Sequence, residues 1–125
     1  MAQELDMIED GIVRLAFIGD ITDVEVDTFL KGFQTYLEAA TLEQPLGLLV
    51  DASRDGKMAP SARRNFTELN KDPRLGHIGI CNVSRFNRVV ATFIMKATGR
   101  DNIRFFESQA DALAWLKSVR KPSDS

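Results

Sequence analysis

Residues 46–50 (Leu-Gly-Leu-Leu-Val) and 77–83 (His-Ile-Gly-Ile-Cys-Asn-Val) are short, mostly apolar runs, each followed by a stretch in which apolar residues recur every three or four positions. A strand that meets water on one side alternates polar with apolar residues, whereas one covered on both faces does not. The two runs therefore read as interior strands, and the helical patterns between them as the crossovers that parallel strands require. All-helical and purely antiparallel folds are excluded. An α/β sheet with helices packed on it remains.

Local signals supply the other elements. Leu5, Met7 and the Asp10-Gly11 pair predict an opening strand in residues 1–7, joined to a strand at 12–18 by a tight turn that uses Gly11. Gly19-Asp20 stops that strand, and Thr22 with Glu25 has the spacing of a capping box. The helix opened there carries Val26, Phe29, Leu30, Phe33, Leu37 and Ala40 on one stripe and ends before Gln44-Pro45. Residues 52–59 read as a loop, and Pro60 suits the first turn of a short helix that runs to about Lys71. Ser84 caps a third helix with the stripe Phe86, Val89, Val90, Phe93, Ile94 and Ala97, stopped by Gly99. A strand at 102–106 and a final helix after Ser108, buried along Ala112, Leu113, Leu116 and Val119, complete the order β-β-α-β-α-β-α-β-α. A length of 125 residues encloses one core, so a mixed, mostly parallel sheet in a single domain over residues 1–120 is expected, with 121–125 a frayed tail.

The net charge of -2 conceals a divided chain. Residues 1–51 hold eleven acidic and two basic side chains, whereas 52–104 hold eleven basic and four acidic. Most of the basic ones lie after the third strand (Arg54, Lys57), in the helix that follows (Arg63, Arg64, Lys71) and in the next (Arg85, Arg88, Lys96). Carboxyl ends of neighbouring parallel strands lie side by side, so segments 52–61 and 84–88 are expected to meet at one edge. Asp51, Ser53, Arg54, Ser61, Arg63, Arg64, Ser84, Arg85 and Arg88 would then form one site, where two helix amino termini and several guanidiniums hold a phosphate, a carboxylate or a partner. The competing reading is of solvated helix faces paired with the acidic first helix.

Other chemistry has less behind it. One histidine, His77, and one cysteine, Cys81, exclude an internal disulfide and leave too few soft ligands for a structural zinc site. His77 has no neighbours spaced for a triad and reads as a hydrogen-bonding residue at a strand end, and Cys81 as a small buried hydrophobe. Asp20, Asp23, Glu25 and Asp27 suit a helix start, which favours negative charge. Phe105 and Phe106, adjacent in a strand, should point to opposite faces. Trp115 and Met58 read as packing residues, with a contact surface as the alternative. Gly76-His77-Ile78-Gly79 lacks the spacing and placement of a phosphate loop. A pI of about 5.4 gives the chain as a whole no attraction for nucleic acid. No apolar run reaches the roughly 20 residues of a membrane helix. Glu4, Asp6, Glu9 and Asp10 stand where a secretion signal would be basic. A cytoplasmic protein without cofactor or metal is expected, with a surface divided in charge that favours a homodimer.

The order of elements, Leu-Leu-Val-Asp51 closing the third strand, and Phe106 followed by Ala112-Leu-Ala-Trp-Leu116 resemble the STAS domain, named for sulfate transporters and anti-sigma-factor antagonists. The likeness is to the divergent bacterial branch of small standalone STAS-like, sporulation-antagonist-like proteins, and it covers nearly the whole chain. It implies a non-enzymatic module that binds a regulatory protein partner, the antagonists being switched by phosphorylation of a serine at the start of the second helix. Counted from Asp51-Ala-Ser53, the matching position is Ser61, although the antagonists' Asp-Ser-Ser-Gly signature is replaced by Ala59-Pro60-Ser61-Ala62. A phosphate there would be favoured by the helix start and by Arg63 and Arg64. The branch also resembles lipid-carrier domains. That implies the alternative of a carrier or sensor of a small anionic or lipid-like ligand, with the arginines on its head group and Phe66, Phe86 and Val89 along an apolar channel.

Overall fold

In the computed structural model, which describes residues 3–9 and 11–119, the two apolar runs become β4 (Leu46–Asp51) and β6 (Leu75–Cys81), paired in parallel. They sit inside a five-stranded sheet completed by β1 (Gln3–Glu9), β2 (Ile12–Phe17) and β7 (Ile103–Phe106), in the order β1-β2-β4-β6-β7. Only β1, antiparallel to β2, departs from the parallel direction. Gly11, at a φ of 79°, lies in the β1–β2 turn, as the Asp10-Gly11 pair predicts, although Asp10 itself lies outside the described residues. The predicted tail at 121–125 lies outside them as well.

Three helices cover one face of the sheet: α1 (Asp23–Ala39), α2 (Pro60–Leu69) and α3 (Arg85–Thr98). The fourth, α4 (Gln109–Val119), covers the other. Strand alternation sorts the side chains: Val13, Leu15, Leu48 and Ile78 face the three helices, whereas Ile12, Leu49 and Cys81 face α4. Phe105 and Phe106 divide between the faces in the same way. The larger core is anchored by the rings of Phe17, Phe29, Phe33 and Phe66, with centroids 5.1–6.2 Å apart in edge-on, tilted and stacked pairs. The smaller core rests on a close approach: a Cβ at Gly79 would stand 3.3 Å from the Ala112 methyl, so the absence of a side chain lets α4 lie flat on β6.

Helix ends follow their sequence signals. The Thr22–Glu25 capping box is formed, Ser84 accepts from the Asn87 amide at 3.2 Å, and Gly99 closes α3 in the left-handed conformation. The buried stripe of α1 is Val26, Phe29, Phe33 and Leu37.

Two expectations are corrected. Residues 52–59 are not simply a loop: Asp55–Met58 forms β5, which pairs in parallel with β3 (Gly19–Ile21) as a separate two-stranded sheet. Asp-Gly-Lys-Met has no strand periodicity, and its pairing comes from distant partners. The Lys57 amide donates to Asp20 Oδ1 at 3.0 Å and the Ala59 amide to Ile21 O at 3.0 Å. Secondly, the stripe of α3 is rotated. Asn87, Val90, Ala91 and Ile94 are buried, whereas Phe86, Val89 and Phe93 face solvent. The apolar arc of this helix is wider than the contact the sheet makes with it.

Candidate functional site

At the carboxyl end of β4, Asp51 is buried and fully engaged. Its Oδ1 accepts from the Ser53 amide at 3.0 Å and hydroxyl at 2.7 Å, and its Oδ2 from Arg14 and Gln109, each at 3.2 Å. Burial alone would raise the pKa of Asp51, but the Ser53 hydrogen bonds and the charges of Arg14 and Arg54 hold it below the ordinary carboxylate value. Arg14 also donates to Gln109 Oε1 at 3.0 Å, and its guanidinium, like that of Arg54, reaches Glu4 on β1. This network lies on the α4 face, so Asp51 closes the end of the sheet instead of presenting a vacant carboxylate.

The segments around 52–61 and 84–88 do meet, through the side chain of Asn87. Asn87 Nδ2 donates to Asp55 Oδ2 at 3.0 Å and to Gly56 O at 3.1 Å. Two of the expected arginines, Arg54 and Arg88, share no pocket, because their guanidiniums diverge. Arg54 pairs with Glu4 on the α4 side of one sheet edge, whereas Arg88 lies 4.5 Å over the Phe105 ring on the opposite face and edge. Arg54 follows a carboxylate and Arg88 a ring, and those partners stand on different faces. Arg63 is half-buried, its Nε without a hydrogen-bond partner, and Arg64 and Arg85 are exposed.

At the start of α2, the Ser61 hydroxyl donates to Asp23 at the start of α1. It is therefore engaged with acidic α1, and Arg63 and Arg64 are not its hydrogen-bond partners. Ser84 is a helix cap. Phe66 belongs to the core beneath α2, while Phe86 and Val89 point outward, so these three residues do not line a common channel. Cys81 is buried, its thiol donating to Val50 O at 3.4 Å, and burial pushes its pKa up, which keeps it protonated and unreactive. Trp115 packs against Phe106 and His77 with ring centroids at 5.5 and 5.3 Å. Among the described residues, no group of three His, Cys, Asp or Glu is arranged to hold a metal ion, and no helix is long and apolar enough to cross a membrane.

The feature that sequence reasoning missed is the outer face of α3. Phe86, Val89 and Phe93 are 58%, 64% and 64% exposed, in a row along the helix, with Arg85, Arg88 and Lys96 also exposed on the same helix. The three-and-four spacing was legible, but which arc of a doubly apolar helix meets the sheet was not. Arg14 was also missed, although a lone arginine inside the run Ile12–Phe17 is itself a signal of a buried acidic partner.

The model of the SpoIIAA-like family matches residues 12–117, almost the whole of the described chain. The chain belongs to the SpoIIAA-like family. An uncharacterized Shewanella loihica protein with a SpoIIAA-like fold superposes with a TM-score of 0.69 at 17% identity, over 92% of each chain. The anti-sigma factor antagonist SpoIIAA in its unphosphorylated form gives 0.69 at 17% identity, over 94% of this chain and 100% of that one. An anti-sigma factor antagonist from Mycobacterium paratuberculosis gives 0.63 at 13% identity, over 92% of each. No curated protein sequence matches the chain. At these identities the SpoIIAA-like likeness to solved structures is one of fold, and the mostly parallel sheet with four helices is the SpoIIAA arrangement.

Proposed function

We propose that the protein is a non-enzymatic regulatory module of the cytoplasm that docks on an anti-sigma factor through the outer face of α3. The observation that carries this reading is the exposed row of Phe86, Val89 and Phe93 beside Arg85, Arg88 and Lys96. Contiguous apolar groups on a surface mark contact sites, and aromatic and arginine side chains carry much of the energy at interfaces. A partner that fits offers an apolar groove rimmed by carboxylates. Two proteins that share the fold are described as anti-sigma factor antagonists, which supports that class of partner.

In this reading Arg85 and Arg88 border the docking face, Ser61, Arg63 and Arg64 lie on the neighbouring α2, and Asp51, Ser53 and Arg54 hold the end of β4 from which β5 and α2 depart. Ser61 is the point of control. A phosphate there, carrying roughly -1.5 to -2 charges, is repelled by Asp23 and attracted by the α2 amides and Arg64, which separates the starts of α1 and α2 and shifts the helix that packs against α3.

The test is calorimetric titration of the protein with the anti-sigma factors encoded in its own genome. One of them binds the wild type, binds the F86S/F93S variant at least about tenfold more weakly, and binds V24S, altered at an exposed position on α1, as well as the wild type. Equal affinity for F86S/F93S, or no binding to any of them, overturns the reading.

A further inference from the structure

A cleft of about 530 Å³ opens at the amino-terminal ends of β4 and β6, opposite the ends that lead to Ser53 and Ser84. Leu42 and Pro45 of the loop before β4, with Val119 at the end of α4, give it an apolar wall, and Leu42 is 68% exposed there. Pro45 is fixed in place by a close approach. A Cβ at Gly76 would stand 3.0 Å from that of Pro45 and 3.3 Å from Leu46 O, so the bare backbone of β6 lets the loop pack directly on it. Two basic side chains, Arg100 and His77, complete the cleft.

Arg100 is a positioned cation without a counterion. Its Nη1 donates to Asn70 O at 3.0 Å and to Asp72 O at 3.4 Å, carbonyls at and just beyond the end of α2, which hold the guanidinium in one place. None of the ion pairs among the described residues involves it. Burial works against its charge, and Asp72, the carboxylate whose charge supports it, is clasped by Arg74 at 2.7 Å. Nε and Nη2 of Arg100, the side of the guanidinium away from those carbonyls, have no acceptor among the described residues. Two parallel N–H donors of this kind match the two oxygens of a carboxylate. His77 stands edge-on to Trp115 with centroids 5.3 Å apart, and burial, followed by the charges of Arg100 and Arg104, disfavours its imidazolium. A neutral imidazole still offers one N–H. Asn102, also in the wall, has both amide hydrogens engaged, on Asn70 Oδ1 at 2.9 Å and Gly76 O at 2.8 Å.

We infer that this cleft binds a small monocarboxylate with an apolar body, the carboxylate on the guanidinium of Arg100 and the body against Leu42, Pro45 and Val119. One guanidinium matches one negative charge, and Glu43, which also lines the cleft, opposes a second, so a phosphate or a dicarboxylate fits less well. The apolar wall sets the other requirement, since a bare ion leaves it in water. This inference does not rest on the docking reading: neither the exposed row of α3 nor Ser61 lines the cleft.

The probes are benzoate, its neutral isostere benzamide, and acetate, which keeps the charge but lacks the ring. In amide-detected NMR titrations of the wild-type protein, benzoate gives saturable shifts at Gly47, Gly76 and Arg100 with half-saturation at about 1 mM. Benzamide and acetate each bind at least about tenfold more weakly, the first for want of charge and the second for want of apolar contact. Saturating benzoate also offsets the field of Arg100 and raises the titration midpoint of His77 by about half a unit or more, which benzamide does not do. Arg100→Gln weakens benzoate at least about tenfold. Absence of saturable shifts, equal affinity for benzoate and benzamide, an unmoved His77 midpoint, or undiminished binding to a folded Arg100→Gln protein overturns the carboxylate site. Equal affinity for acetate overturns the apolar half of the inference. The comparisons on the wild type decide the matter even if the variant does not fold.

Discussion

Replacing Arg14 with methionine tests the polar network that closes the end of β4. Methionine retains much of the arginine stem but removes the guanidinium that donates to Asp51 at 3.2 Å and to Gln109 at 3.0 Å. Asp51, 5% exposed, is left with the Ser53 amide and hydroxyl and the Gln109 amide as donors. Removing one partner of a fully buried ion pair costs about 3–5 kcal/mol. Here the Arg14 side chain is 19% exposed and the remaining donors still serve the carboxylate, which brings the expected loss to about 2–3 kcal/mol near neutral pH. A domain of this size loses roughly 4 °C in Tm per kcal/mol, so the variant melts about 8–12 °C lower. The deficit also depends on pH, with a definite sign. The pKa of Asp51 is lowered in the native fold, so its contribution is present above the unfolded value and is lost as the pH falls through the folded one. Without Arg14 the burial penalty meets less opposition, so the difference between variant and wild type is largest near neutrality and shrinks below about pH 4. Urea unfolding followed by circular dichroism at about pH 7 and about pH 3.5 reads both quantities. An equal deficit at the two pH values would place the whole cost in packing and refute the electrostatic argument.

Ser61→Glu sets a carboxylate against Asp23 and lowers stability by about 1 kcal/mol, and adding Asp23→Asn restores most of that loss; thermal melts of the single and double variants give the coupling. Leu116→Ala empties the fully buried contact of α4 and costs about 2–5 kcal/mol by denaturant unfolding, with hydrogen exchange of the α4 amides rising first. His77 titrates below its ordinary value of 6.5, because burial and then the charges of Arg100 and Arg104 disfavour the imidazolium. Its contribution to stability is complete above pH 6.5 and is lost as the pH falls through the folded value, so His77→Gln flattens that limb of the stability profile, and an imidazole NMR titration gives the midpoint.

The fold was legible because each of its main elements is written in local pattern. Unbroken apolar runs gave β4 and β6, three-and-four spacing gave α1, and the caps Thr22, Ser84 and Gly99 stand at the helix ends where their chemistry is needed. The β3–β5 pair escaped the sequence for the converse reason. Nothing in Asp-Gly-Lys-Met asks for a strand, and its bonds are supplied by residues about 37 positions earlier in the chain, where the backbone around Gly19 and Ile21 runs alongside. Gly56 shows how specific that fit is, since a Cβ there would collide with Asp20.

The site was legible only as far as backbone position. The spacing of strands and helices correctly brings Asp55 and Gly56 to Asn87, yet it says nothing about where a long side chain goes once it leaves the backbone. Arg54 and Arg88 start from segments that touch and end on opposite faces of the sheet, one drawn to Glu4 and the other to Phe105. A rigid side chain carries its backbone position with it, whereas an arginine reports the nearest carboxylate or ring. That is why the meeting of the two segments, made by the short side chain of Asn87, followed the strand and helix order, while the placing of the arginines did not. The contrast is visible on α3 itself: the short Asn87 side chain joins the helix to β5 inside the fold, whereas Arg85, Arg88 and Lys96 stand exposed on its outer surface.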